Sequence, residues 1–134
     1  MTEKSKALRD QFERALKRLG EAMKAPKNEF VRDSAIQRFE FTFETVWKFL
    51  KSQVEELDPG VKIRHPGECF REAFKKGLID NDPRWIQSID ERNKTSHTYN
   101  EDKAEEVYGD LPGFVALYEG LLTHLKKEDT EKEK

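Results

Sequence analysis

The stretch Arg38 to Lys51, RFEFTFETVWKFLK, sits inside a longer run from about Glu29 to Leu57. There Ile36, Phe39, Phe43, Val46, Leu50, Val54 and Leu57 recur at steps of three and four residues. That period keeps one face of an α-helix apolar for about six turns. Phe41, Trp47 and Phe49 widen the stripe beyond what one buried face needs, so they belong either to the core or to a surface used in dimerisation. The run ends at Asp58-Pro59-Gly60, a tripeptide that a helix interior does not tolerate.

Working outward, Leu8, Phe12, Leu16, Leu19 and Met23 predict an earlier helix with Thr2 as its N-cap. Pro26 and Asn28 separate it from the long helix, Asn28 serving as the next cap. Residues 61–67 read as an irregular connector. Glu68 to Lys76 form a short helix with Cys69, Phe70, Ala73 and Phe74 on its apolar side and Gly77 as a left-handed cap. Asp82-Pro83 starts a helix from Pro83 to about His97, with Trp85, Ile86 and Ile89 buried. Asn100 caps the last helix, whose apolar residues Val107, Leu111, Phe114, Tyr118, Leu121 and Leu125 hold their spacing across Gly109 and Pro112, with a kink expected near Pro112. The prediction is all-α: an antiparallel four-helix up-and-down bundle with a short additional helix, one domain over 1–126, and a charged, disordered tail over 127–134.

Composition agrees. Of the 134 residues, 39 % are charged and 35 % hydrophobic, a balance that suits narrow apolar stripes on helices. Seven Gly and five Pro are too few for the tight hairpins of a barrel or sandwich. Nothing approaches a membrane span or a continuous signal sequence, so the expected location is the cytoplasm. Cys69 is the sole cysteine and the three histidines are scattered, which leaves no expected metal or cofactor. With 25 basic and 27 acidic residues the net charge is −2, so any nucleic-acid contact must be local.

Packing accounts for most of the chain, but not for Arg92-Asn93-Lys94-Thr95-Ser96-His97-Thr98-Tyr99. Asn93 and His97 are four apart on one helical face, and the long Arg92 side chain can reach a shared phosphate from a neighbouring face. An imidazole titrates near neutrality, as proton transfer during attack by an RNA 2′-hydroxyl requires. The same residues are also what a helix end uses to satisfy its last carbonyls. A second basic group, Arg64, His65, Arg71, Lys75 and Lys76, has Glu68 and Glu72 interleaved and reads as a solvated face. Cys69 reads as a small buried apolar residue.

Arg-x4-His followed by x-Tyr, in an all-helical chain with this aromatic second helix, resembles the HEPN superfamily, and within it the nucleotidyltransferase substrate-binding or HepT-type toxin family. The resemblance extends over ECFREAFKKGLI, DPRWIQSIDERNKTSHTYNE and the helix containing Pro112. It implies a ribonuclease pair at Arg92 and His97, a polar helper at Asn93 and a modifiable tyrosine at Tyr99. It also implies a homodimer, RNA or a nucleotide phosphate as ligand, and a cognate small nucleotidyltransferase as antitoxin that adds AMP to Tyr99. The expected activity is metal-independent endoribonuclease cleavage. The alternative is a non-catalytic nucleotide- or substrate-binding subunit of a minimal nucleotidyltransferase. The chain has no Gly-rich phosphate loop or spaced acidic signature of its own, so it is not expected to transfer nucleotides.

Overall fold

A computed structural model describes residues 1–132. It contains helices α1 (Glu3–Lys24), α2 (Glu29–Leu57), α3 (Pro66–Lys75), α4 (Arg84–Lys94) and α5 (Glu101–Lys132), with a 3₁₀ turn at Thr95–His97 between the last two. The predicted caps are formed. Thr2 accepts from the Ser5 amide and Asn28 from the Val31 amide, while the Asn100 carboxamide accepts from the Lys103 amide. Asp82 Oδ1 takes the Arg84 N–H beside Pro83, whose own missing N–H costs nothing there. Gly77 closes α3 at φ 75°, a conformation that favours glycine, and Leu78 N–H reaches back to the Ala73 carbonyl.

Side-chain pairs fix the directions of the helices. Ser5 meets Ser52 and Arg18 meets Arg38, so α1 and α2 run antiparallel. Arg9 with Asp129 and Glu13 with Lys126 set α5 antiparallel to α1, and Lys94 with Glu106 sets it antiparallel to α4. The stripes meet in an aromatic core where the Tyr118 ring packs edge-on to Phe12 at 6.3 Å, near-parallel to Phe39 at 6.5 Å and against Trp85 at 5.9 Å. Offset and edge-on rings of this kind add to area burial, the main source of stability here.

Four expectations change. The short helix begins two residues early, at Pro66, because His65 acts as its N-cap and accepts from the Glu68 amide. The helix from Asp82-Pro83 stops being α at Lys94. The hydroxyls of Thr95, Ser96 and Thr98 donate to the carbonyls of Arg92, Asn93 and Thr95, competing with the amides that would continue it. Ile86 and Phe74, expected inside, are 43 % and 46 % exposed, since Trp85 and Phe70 already fill the inward positions. Finally, α5 continues to Lys132, through most of the segment expected as a disordered tail, with Asp129 paired to Arg9. The last two residues of that segment lie outside the described residues.

The three extra aromatics of α2 divide: Phe49 is in the core, Trp47 packs against its edge and Phe41 stands half in solvent. Cys69 is buried, its Sγ donating to the Trp47 carbonyl, and burial pushes its thiol up to about 12, so it is inert as a nucleophile. Pro112 lies within α5 between the exposed glycines Gly109 and Gly113, and the helix remains one element through it.

Candidate functional site

The Arg92 to Tyr99 segment forms the last turn of α4, the 3₁₀ turn and the exit toward α5. Two ionic clusters hold it in place. On the α5 side the buried Arg32 of α2 donates to Glu101 (2.7 Å) and Glu105 (3.0 Å), fixing the first turn of α5 right after Tyr99-Asn100. On the α4 side Lys94 lies 3.4 Å from Glu106 and 3.8 Å from both Glu91 and Asp110.

Arg92 is half-buried. Its Nη1 donates to Thr95 Oγ1 at 3.1 Å, and its Nε, buried with no hydrogen-bond partner among the described residues, lies 3.8 Å from Glu44 Oε1 of α2. Glu44 in turn accepts from the Trp47 indole at 3.3 Å. The guanidinium is thus presented from one side by α2, and its charge is partly offset there. His97 and Tyr99 are exposed, Tyr99 at 84 %, and their rings meet edge-on with centroids 6.2 Å apart. Asn93 is exposed, its carbonyl accepting from Ser96.

The turn therefore brings His97 and Tyr99 together. Among the described residues no hydrogen bond or ion pair joins Arg92 or the Asn93 side chain to His97. In this single chain Arg92 is instead engaged with Thr95 and Glu44. Among the described residues, no group of three or more His, Cys, Asp or Glu side chains is arranged to hold a metal ion.

Comparison with known proteins bears on what this turn is for. Residues 9–127 match the family described as nucleotidyltransferase substrate binding protein like. The chain belongs to that family. Within the nucleotidyltransferase substrate-binding family, a Haemophilus influenzae protein named probable ribonuclease HepT is 34 % identical over 100 residues, covering 71 % of this chain and 67 % of its own. A crystal structure from Thermus thermophilus superposes with a TM-score of 0.76 at 35 % identity, covering 85 % of this chain and 98 % of that one. A second solved structure, from Haemophilus influenzae, is described as showing the fold of a substrate binding domain of a nucleotidyltransferase. It has a TM-score of 0.73 at 27 % identity and covers 91 % of this chain and 98 % of its own.

Two residues escaped the sequence reading. Glu44 lies 48 positions before Arg92 and no local pattern links them. Glu91 was legible in principle. It continues the inward spacing of Trp85 and Ser88 toward Thr95, which puts a carboxyl at a buried position. Among the described residues nothing donates to its Oε2, and burial, together with Asp110 beside it, pushes its carboxyl up to about 8.

Proposed function

We propose that the chain is the HEPN-type component of a two-gene toxin–antitoxin module, a metal-independent endoribonuclease neutralised when a cognate nucleotidyltransferase adds AMP to Tyr99. The observation that carries this reading is the pairing of two exposed rings, His97 and Tyr99, on the turn that follows Arg92. The relative named probable ribonuclease HepT supports it. In the reaction, an RNA 2′-hydroxyl gives its proton to a neutral His97 and attacks the adjacent phosphorus. Arg92 neutralises the charge that builds on the phosphoryl oxygens, and Asn93 orients the substrate. The 5′-oxygen leaves with a proton from a second, protonated imidazole, yielding a 2′,3′-cyclic phosphate and a 5′-hydroxyl end. One chain has a single histidine at this turn, so the second comes from the other copy in a homodimer.

The α4 surface supports that assembly. Ile86 and Asn93 are seven residues apart, on one face of the helix, so a partner packed on exposed Ile86 and Phe74 also faces Asn93 and the turn beyond it. AMP on Tyr99 would put a phosphate within reach of the groups that bind RNA.

The test is cleavage of a labelled RNA by parent and His97→Ala. The parent is expected to cleave with EDTA present, and the variant to lose about 100- to 10,000-fold in rate while keeping its helical circular dichroism. Equal cleavage by both proteins would reject the assignment. A second reading, a non-catalytic substrate-binding subunit, draws on Arg92 being tied to Thr95 and Glu44 rather than to His97. It predicts RNA or nucleotide binding by a chain that never cleaves.

A further inference from the structure

The outer face of α2 keeps two phenyl rings in water: Phe30, 85 % exposed, and Phe41, 50 % exposed. They are eleven residues apart, about three turns or roughly 16 Å along nearly the same stripe. Core packing explains neither, because Phe39, Phe43 and Phe49 fill the inward positions of the same helix.

On one flank Phe41 meets a cationic groove. It lines a groove of about 310 Å³ between α1 and α2 with Arg14, Arg18, Arg38, Gln11 and Thr45, and no carboxylate contributes to that lining. Arg38 Nη1 donates to the Arg18 carbonyl at 2.7 Å, which fixes its guanidinium between the helices and leaves further N–H groups for an anion. Among the described residues Arg14 pairs only with Asp10, and both side chains are well exposed, a contact weak enough for a phosphate to displace. Arg38 also borders the neighbouring hollow that holds Phe30.

On its other flank Phe41 stands one turn before Glu44, which lies against Arg92. Glu44 is thus engaged by Arg92 and by the Trp47 indole. Passing around α2 from Arg38 through Phe41 to Glu44 leads from the arginine groove to the last turn of α4 without entering the core.

Accessible rings interleaved with guanidinium groups are how proteins hold single strands, since every base has a face to stack and every nucleotide a phosphate to neutralise. The chain's net charge of −2 supplies no general attraction for RNA, so a local cationic groove has to. We propose that the α1–α2 groove with Phe41 is the binding track for the single-stranded RNA flanking the bond cleaved at His97, Phe41 stacking a base while Arg14, Arg18 and Arg38 hold phosphates. This rests on the ribonuclease reading.

The experiment measures anisotropy of a fluorescein-labelled single-stranded RNA 12-mer bound to the full chain carrying His97→Ala, which prevents cleavage. Adding Phe41→Ala is expected to weaken binding about tenfold, and Phe41→Trp to retain it. Replacing Arg14, Arg18 and Arg38 by Gln is expected to reduce the slope of log affinity against log salt by roughly two, about 0.7 per phosphate contact. In the His97 background Phe41→Ala should raise KM for the 12-mer, leave kcat unchanged and leave a dinucleotide substrate unaffected. Unchanged affinity on Phe41→Ala overturns the track. So does conversion of a dimer to a monomer by that substitution in light scattering, which would give the face to a protein partner. A parent that binds through Phe41 without cleaving refutes the ribonuclease reading and leaves the track standing. A parent that cleaves while the variants bind equally well does the reverse.

Discussion

Tyr99 and Tyr118 have the same side chain and opposite chemistry. Tyr118 is fully buried, its hydroxyl pushed far above its ordinary range by desolvation, so no modifying enzyme can reach it. Tyr108 is half-buried under the Lys27 ammonium. Tyr99 alone of the three stands free. Co-expression with the cognate nucleotidyltransferase should add an AMP mass to the parent and none to Tyr99→Phe, with cleavage retained by the variant; intact-mass spectrometry reads the outcome. Arg92, Asn93, His97 and Tyr99 stood out in the sequence because eight consecutive residues hold all of them, while the fold pairs only the His97 and Tyr99 rings and turns Arg92 toward Thr95 and Glu44. Glu44 was not, because only the packing of α2 on α4 brings it to Arg92. Glu91 gives a prediction with a definite sign. Its folded-state value, about 8, lies above the ordinary 4.5 of an unfolded glutamate, so folding retains a proton between those values. The associated stability is complete below about pH 4.5 and is lost as pH rises toward 8. Thermal melts from about pH 5 to 9 should therefore decline for the parent and flatten for Glu91→Gln. A parallel decline in both would mean that Glu91 is ionised in the fold.

Among the elements, α1 and α2 were readable almost to the residue, because their caps and their three- and four-residue periods agree. The end of α4 was not. Three hydroxyl side chains in four positions redirect the backbone into a 3₁₀ turn, an effect that apolar periodicity does not report. The C-terminal segment departs from expectation for a related reason, since its composition is that of a solvated tail while its partner, Arg9, lies 120 residues away. At the same end of α1, Glu56 at the end of α2 accepts from the Thr2 amide and hydroxyl and from Ser5, tying down the start of α1. The Ser5 hydroxyl, more than any other group, holds this carboxylate down at about 2 against an ordinary 4.5. The contribution is thus present above about pH 4.5 and disappears as pH falls toward 2. Acid titration followed by circular dichroism should show the parent losing more stability across that window than Glu56→Gln, and equal losses would remove Glu56 from the account.

At the scale of the whole molecule, the antiparallel order of α1, α2, α4 and α5 followed from stripes and turn lengths, whereas the exposed faces followed from nothing local: Ile86 and Phe74 belong to regular apolar patterns and still end outside. If a second chain covers them, Ile86→Glu should yield a folded monomer with cleavage reduced at least about tenfold, as judged by light scattering and RNA assay on the same sample; a dimer that survives the substitution would move the interface elsewhere. Pro112 bears on how this bundle breathes. It cannot donate to the Tyr108 carbonyl, two glycines flank it, and the Gly113 carbonyl is taken by Arg84 at 3.0 Å. The ladder of α5 is interrupted there. Before the joint, α5 is clamped to α2 by Arg32, and after it Tyr118 and its neighbours are locked into the aromatic core. Deuterium uptake should consequently divide α5 into two blocks with separate opening free energies meeting at Pro112. On that division, opening of the far block of α5 is expected to stop at the proline, leaving the turn that carries His97 and Tyr99 in shape.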